Sequence, residues 1–317
     1  MVALNIARTE LPAFSHPCSP RTYTQHQWVA ILVLQTFLGT SYRDTQAYLK
    51  DWSDLRDDLG LEDVPHWTAI EKAQKRLMKF VHGYKLLRRS VSIFNPPGAS
   101  RLKVERAAID GSGFSSHHVS RYFVKRRERG GKNSGIWQTT TYRRFPKAGI
   151  VVDCDRHLIL SIIPGRGPSP DITHLADAIF KAWSDCDIQT LIADAGYDAE
   201  WAHQMLRHDL GIHSIIPATI GRPTKKRPTG HYRREMATDF DKQTYGQRWQ
   251  SETVFSMIKR NLGEAVNART YWSQCRSLLL MAITHNVMVA KPGVFYRAGL
   301  APKPPENTRA NTAQPHV

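Results

Sequence analysis

The stretch from Tyr245 to Lys259 constrains the fold and the chemistry of this chain more than any other. It contains no Pro, its one Gly is Gly246, and its Gln, Arg, Glu, Met and Lys residues favour helices. At about 100° per residue, Tyr245, Arg248, Glu252 and Lys259 fall within an arc of about 60°. The sequence therefore predicts one helix with a hydroxyl, a guanidinium, a carboxylate and an ammonium in a single row.

This row has two interpretations. An amphipathic helix often carries charged side chains simply because that face is solvated. A carboxylate placed between two cations is also able to hold a metal ion while its neighbours bind phosphate groups. The helix alone leaves both interpretations open.

The spacing of the row resembles the signature around the last acid of insertion-sequence DDE transposases: Tyr, two residues, Arg, three residues, Glu, six residues, Lys. The other two acids of that family follow strands further upstream. Here Asp110 follows Ala-Ala-Ile and precedes Gly-Ser-Gly, and Asp194 follows Leu-Ile-Ala and precedes Ala-Gly-Tyr. Three motifs thus agree in order, and the resemblance covers about residues 100–290.

The resemblance implies an RNase H-like α/β fold, with a mixed sheet flanked by helices. The order strand, hairpin, helix, strand, helix, strand, helix after residue 100 independently indicates an α/β sheet with an antiparallel part. Upstream, helices at sharp turns resemble the helix-turn-helix of transposase N-terminal regions. A plain structural helical domain is the other interpretation of those helices.

Four segments are expected. Residues 1–20 form a flexible lead-in, residues 21–97 a helical and DNA-binding domain, residues 98–290 the catalytic domain, and residues 291–317 a disordered tail. Within the helical domain, Gly39 is expected to end one helix and Ser41 with Asp44 to begin the next. A capping-box pattern at Thr68 predicts the start of a third.

The resemblance also implies a metal site. Two divalent ions about 3.5–4 Å apart can activate an attacking oxygen and neutralise a leaving oxygen, and Mg²⁺ prefers carboxylate oxygens. The family role of Asp110 is to bridge both ions, while Asp194 and Glu252 each hold one. Mg²⁺ is the expected cofactor, with Mn²⁺ as a substitute. Taken singly, Asp110 and Asp194 are more readily interpreted as turn residues, and only the ordered set of three acids favours the metal site.

The charge balance predicts a polyanionic partner. The formal net charge is +16, and nucleic acid is the commonest partner of so basic a chain. Residues 121–147 hold nine Lys/Arg with interleaved aromatics, and residues 221–234 hold six without an acid. The predicted DNA contacts are Tyr245, Arg248, Lys259, Lys225, Lys226, Arg227, Arg126 and Arg127. Lys259 is expected to stand in solvent and reach a phosphate.

The cysteine content and the apolar segments predict the cellular compartment of the protein. The four cysteines form no metal-binding or disulfide spacing and indicate free thiols in a reducing compartment. No secretory signal is evident, and the longest apolar run is shorter than the ~20 residues of a membrane span. A cytoplasmic protein is expected, associated with the nucleoid in a prokaryote.

The resemblance, together with the basic charge, implies a transposase that binds the ends of its own element, hydrolyses DNA there and joins the 3′-hydroxyl to target DNA. Double-stranded DNA is the expected partner, with a homodimer on paired ends and no membrane contact. An RNase H-like nuclease without strand transfer is an alternative enzyme. A catalytically idle DNA-binding protein descended from a transposase is an alternative of another class.

Overall fold

A computed structural model describes residues 1–116, 118, 121–127, 137–218 and 227–290, with the backbone alone at 121–127 and 137–142. Helices occupy the chain up to residue 92: α1 (Val2–Glu10), α2 (Gln25–Leu38), α3 (Tyr42–Asp51), α4 (Ser53–Leu59), α5 (Trp67–Leu77) and α6 (Phe80–Ser92). Strands and helices then alternate: β1 (Leu102–Gly113), β2 (Arg121–Arg127), β3 (Trp137–Arg143), β4 (Phe145–Asp153), β5 (Ile159–Gly167), α7 (Leu175–Trp183), β6 (Cys186–Ala193), α8 (Glu200–Gln204), β7 (His213–Ile215), α9 (His231–Thr238), α10 (Lys242–Tyr245), α11 (Trp249–Leu262) and α12 (Tyr271–Val289).

The described residues form a five-stranded sheet in the order β5-β4-β1-β6-β7, with β1 at its centre. β4 pairs antiparallel with β1, and β5 pairs antiparallel with β4. β6 runs parallel to β1, and β7 runs parallel to β6. Three antiparallel strands followed by two parallel strands reached through helices are the RNase H-like plan. The predicted α/β fold class is therefore confirmed.

Alternate strand residues face opposite layers of helices, as the pleat of a strand requires. Ala108 and Ile150 belong to the core that includes side chains of α11 and α12. Their neighbours Ile109 and Val151 belong to the core that includes α7. Asp110 continues the Ala108 face two residues further on, and the strand therefore directs this carboxylate toward α11.

Helices α1–α6 are part of the α11–α12 side of the molecule, since their buried side chains join the same core. The expectation of a flexible lead-in over residues 1–20 is corrected at residues 2–10, which form α1. Leu4, Ile6 and Ala7 are at most 2 % exposed, and α1 packs on α2 and α6. Burial of this apolar face stabilises residues 2–10 as a helix, although the composition of the segment predicted a flexible chain. The limits of the other predicted segments stay predictions.

Two of the three predicted helix boundaries are confirmed. α2 ends at Gly39, which adopts φ 65°, and α3 begins at Ser41 with a capping box to Asp44. The third is wrong, because α5 begins at Trp67 and its N-cap is His66. The His66 Nδ1 atom accepts a hydrogen bond from the backbone N of Thr68 at 3.4 Å, so Thr68 lies inside the first turn.

The row that ends at Lys259 is not one regular α-helix. Tyr245 ends α10, a 3-10 turn spans Gly246–Arg248, and α11 begins at Trp249. Gly246, with its low helix propensity, lies at the break. In the described part of the chain, no helix is long and apolar enough to cross a membrane. The tail predicted at 291–317 lies outside the described residues.

Candidate active site

The register of β1 and β6 brings Asp110 beside Asp194. Ile109 of β1 is the parallel partner of Ala193 of β6. The residue that follows is Asp110 on β1 and Asp194 after β6. Neighbouring strands lie about 4.8 Å apart. β6 ends at Ala193 and the chain turns away at Asp194, whereas β1 continues past Asp110 in its pairing with β4. Two carboxylates therefore meet at one edge of the parallel part of the sheet.

Backbone amides orient both carboxylates. The Gly111 N donates to Asp110 Oδ1 at 2.7 Å, and the Gly196 N donates to Asp194 Oδ1 at 2.8 Å. The second bond caps the 3-10 turn Ala195–Tyr197. Neither Oδ2 atom receives a hydrogen bond from the described residues. Each acid thus keeps one oxygen that is available to a ligand.

Glu252 approaches from α11 on the opposite wall of the same cleft. The cleft has a volume of about 520 Å³ and is lined by Asp110, Ser112, Phe255 and Lys259 as well as Glu252. Arg248, one turn earlier, donates from Nη2 to Glu252 Oε1 in an ion pair. The Glu252 side chain is 57 % exposed. It lines the cleft while it is paired with the Arg248 guanidinium.

Lys259 does not stand in solvent as the sequence suggested. Its Nζ donates to Ser112 Oγ at 2.8 Å and lies 5.4 Å from the centre of the Phe114 ring. Ser112 is two residues beyond Asp110 on the same face of β1. The ammonium of Lys259 is therefore held at the Ser112 end of the cleft that Asp110 and Glu252 also line.

The pKa of Asp110 is raised from 3.8 to about 6, mainly by burial and to a lesser extent by the negative charges of Asp194 and Asp171. The hydrogen bond from Gly111 and the positive charge of Arg248 act in the opposite direction. The net result is a carboxyl group whose ionised form is disfavoured by its surroundings. A cation placed next to this carboxylate would relieve that penalty.

Two charged residues near Asp110, namely Asp171 and Lys147, were not among the predicted site residues. Asp171 Oδ1 lies 2.7 Å from the Nζ of Lys147, which also donates to the Ser169 carbonyl at 2.5 Å. The Asp171 carboxylate packs on the backbone of Gly111, where a Cβ atom would meet Oδ1 at 2.0 Å. This contact joins the turn after β5 to the end of β1 that carries Asp110, and no periodicity in the sequence predicts it.

Tyr197 lies under the aspartate pair. Its side chain is 1 % exposed, and its hydroxyl has no hydrogen-bond partner among the described residues. Burial raises the pKa of this hydroxyl, and the charges of Asp171, Asp110 and Asp194 raise it further. Tyr197 is consequently a neutral residue that supports the turn after Asp194.

The predicted DNA contacts fall into three groups. Arg248 and Lys259 lie at the cleft, and Tyr245 packs against Phe240 with the rings tilted by 59° and their centres 5.0 Å apart. Arg227 is exposed just before α9. Lys225 and Lys226 lie outside the described residues, as do the side chains of Arg126 and Arg127 on β2. The cleft brings together only the first group.

The donor set fits a hard divalent cation at the aspartate pair. Asp110 and Asp194 offer adjacent carboxylate oxygens, the ligands that Mg²⁺ prefers, and the surroundings of Asp110 disfavour its ionised form. Glu252 borders the same cleft but bonds to Arg248. Among the described residues, no three His, Cys, Asp or Glu side chains are grouped closely enough to hold one ion. Glu252 would have to turn from Arg248 to join the aspartates.

The sheet order and the carboxylate-lined cleft define an RNase H-like protein with an acidic site at the ends of its central strands. Residues 104–287 match the family described as transposase DDE domain, which covers more than half of the 317 residues. The chain belongs to this family, and the resemblance seen in the three motifs is confirmed.

A similar solved structure is the piggyBac transposase synaptic complex with hairpin DNA. The TM-score is 0.44 at 9 % sequence identity, over 94 % of this chain and 72 % of the other. No curated protein sequence matches this chain.

Proposed function

We propose that this chain is a transposase that binds the ends of its own insertion sequence, cleaves DNA there and joins the 3′ ends to target DNA. The observation that carries the proposal is the β1–β6 register, which sets Asp110 beside Asp194, together with Glu252, which lines the same cleft as Asp110. Membership of the transposase DDE family supports it.

Asp110, Asp194 and Glu252 are proposed to hold divalent metal, Mg²⁺ by preference, with Mn²⁺ as a substitute. When bound, such ions activate the attacking oxygen and neutralise the leaving oxygen of a phosphodiester. The Gly111 and Gly196 amides keep the two aspartates oriented. Arg248 holds Glu252 at the cleft wall, and this carboxylate would have to turn from the guanidinium to hold a metal ion together with the aspartates.

The cations of the cleft are proposed to bind DNA. Lys259 lies at the Ser112 end of the cleft and Arg260 follows it on the exposed side of α11. Both reach phosphate groups on a strand that lies across Asp110. Because such contacts release counterions, binding should weaken steeply with salt.

The test uses a plasmid that carries the DNA flanking both sides of the coding sequence of this chain. Purified protein with Mg²⁺ should nick or cut this DNA at the element ends and join the ends to a second plasmid. Asp110→Asn, Asp194→Asn and Glu252→Gln should each abolish cleavage and leave DNA binding largely intact. Asp187→Asn is the matched control, because Asp187 is exposed at the other end of β6.

The outcomes separate the alternatives. Cleavage without joining would identify a nuclease that lacks strand transfer. Binding without cleavage by the wild-type chain, with either Mg²⁺ or Mn²⁺, would identify an idle DNA-binding descendant. Full cleavage by one acid variant would remove that residue from the proposed metal site.

A further inference from the structure

A second groove, with a volume of about 800 Å³, separates the N-terminal helices from the start of α12. One wall is formed by the end of α2, the start of α3 and one face of α5. The other wall is formed by the loop after α11 and the first turns of α12. None of the acids of the candidate active site lines this groove.

The groove contains a polar side chain without a partner. Gln35 is 7 % exposed and borders the groove, and its amide makes no hydrogen bond within the described residues. The amide borders the open groove, so it can offer one donor group and one acceptor to a ligand that lies there.

The α12 wall carries positive charge. Arg269 precedes the helix and Arg276 lies in its second turn, and neither has a carboxylate partner among the described residues. No acid occupies the first turn of α12, a helix of 19 residues, whose N-terminal amides add partial positive charge. Across the groove, the Glu71 carboxylate is already paired with Lys75 at 2.7 Å. The groove thus has an excess of positive charge.

An aromatic side chain stands at the rim. Trp272 is 58 % exposed and meets Phe80 edge-on, with ring centres 5.8 Å apart. Exposed aromatics interleaved with arginines suit the phosphates, sugars and bases of a nucleic acid better than a small inorganic anion.

The groove is tied to the strand that carries Asp110. The Ser115 N donates to the Glu264 carbonyl at 2.9 Å, and the Val266 N donates to the Ser115 carbonyl at 2.8 Å. The Gln274 Nε2 atom adds bonds to Ser116 Oγ at 3.3 Å and to the Ala268 carbonyl at 3.1 Å. Glu264 lines the active-site cleft, while residues 265–270 line the groove. The loop after α11 therefore borders both the cleft and the groove.

We infer that the groove between α2, α5 and α12 holds the backbone of duplex DNA next to the point of cleavage. Arg269 and Arg276 bind phosphates, Gln35 donates a hydrogen bond from the groove wall, and Trp272 contacts a sugar or base at the rim. This inference rests on the proposed function, because it takes DNA as the substrate of the neighbouring cleft.

The experiment measures the affinity of the full chain for a fluorescent 30-base-pair duplex as a function of salt, without metal and therefore without cleavage. Arg269→Ala/Arg276→Ala should lower affinity about tenfold at 0.1 M salt and reduce the log–log slope by about 1.8, two phosphate contacts at about 0.9 each. Arg269→Lys/Arg276→Lys keeps the charge and should restore the slope. Gln35→Leu should lower affinity by a smaller factor.

The matched control is Lys50→Ala/Lys85→Ala, which removes the same charge from exposed positions on α3 and α6 outside the groove. If the arginine variant and this control have equal slopes, the inference is overturned. If poly-L-glutamate binding falls as much as duplex binding, the groove accepts anionic polymers in general and the nucleic-acid assignment is overturned.

The two proposals fail separately. A wild-type chain that binds the duplex through the groove but never cleaves it contradicts the proposed function and leaves the groove intact. A chain that cleaves normally after loss of both arginines, with an unchanged slope, contradicts the groove alone. A wild-type chain that binds no duplex overturns both.

Discussion

The Nζ atom of Lys259 lies 2.8 Å from the Oγ atom of Ser112, although the two residues are 147 positions apart in the chain. Ser112 follows Asp110 on the same face of β1, so this hydrogen bond joins α11 to the strand that carries the first acid. Under the proposed function, the ammonium is thereby positioned before DNA arrives, which would reduce the side-chain entropy lost when it binds a phosphate.

Ser112→Ala removes the acceptor of this bond. We expect kcat/KM for cleavage to fall about fivefold, because a partly exposed hydrogen bond contributes roughly 1 kcal/mol. Ser112→Thr keeps the hydroxyl and should retain most of the activity. Single-turnover cleavage rates measure the effect. Wild-type rates in the alanine variant would show that Lys259 needs no such support.

Gly111→Ala introduces a Cβ atom 2.0 Å from Asp171 Oδ1 and 3.2 Å from the Lys147 Cε atom. The turn after β5 must move to relieve this overlap. We expect a loss of roughly 1–3 kcal/mol in the free energy of unfolding, as for other overpacked sites, together with impaired cleavage. Gly246→Ala is the control, since its Cβ would meet nothing within 4 Å. Urea unfolding compares them, and equal stabilities would contradict the contact at Gly111.

Asp110 makes stability depend on pH. Its pKa is raised from 3.8 to about 6, so the folded state binds the extra proton and stability falls as pH rises through this window. In EDTA, Asp110→Asn should be more stable than wild type above about pH 6, by up to about 3 kcal/mol, and the two should converge below about pH 4. Mg²⁺ should raise the stability of the wild type at neutral pH and leave the variant unchanged. Melting curves at several pH values with and without Mg²⁺ test both statements; identical pH profiles would refute the first.

Asn286 joins α12 to β5 and α6 inside the core. Its side chain is fully buried and makes three hydrogen bonds, each 2.9 Å long: from the Ile159 N, to the Ile159 carbonyl and to Ser90 Oγ. Asn286→Leu keeps the volume but strands these partners, so we expect a loss of about 2–4 kcal/mol in the free energy of unfolding. Asn261→Leu, on the exposed side of α11, should change it by less than about 0.5 kcal/mol. Denaturant midpoints decide between these values.

Much of the fold was readable from short-range patterns. Gly39 and the Ser41–Asp44 box mark helix ends because caps involve residues within one turn of each other. The acids Asp110 and Asp194 follow apolar strand patterns, and the β1–β6 register then sets them side by side. Gly246 is the exception, since a single glycine inside a helical pattern did not reveal the 3-10 turn there.

The remaining contacts depend on packing between distant segments. The Asp171 carboxylate against Gly111, the α1 helix in the core and the Gln35 amide in the second groove have no signature in local periodicity. Each arises where the sheet and its helices bring together stretches that lie far apart along the chain. The sequence by itself therefore predicts the identity and order of the three candidate acids. The residues that surround and orient these acids are determined by the hydrophobic packing of the whole fold.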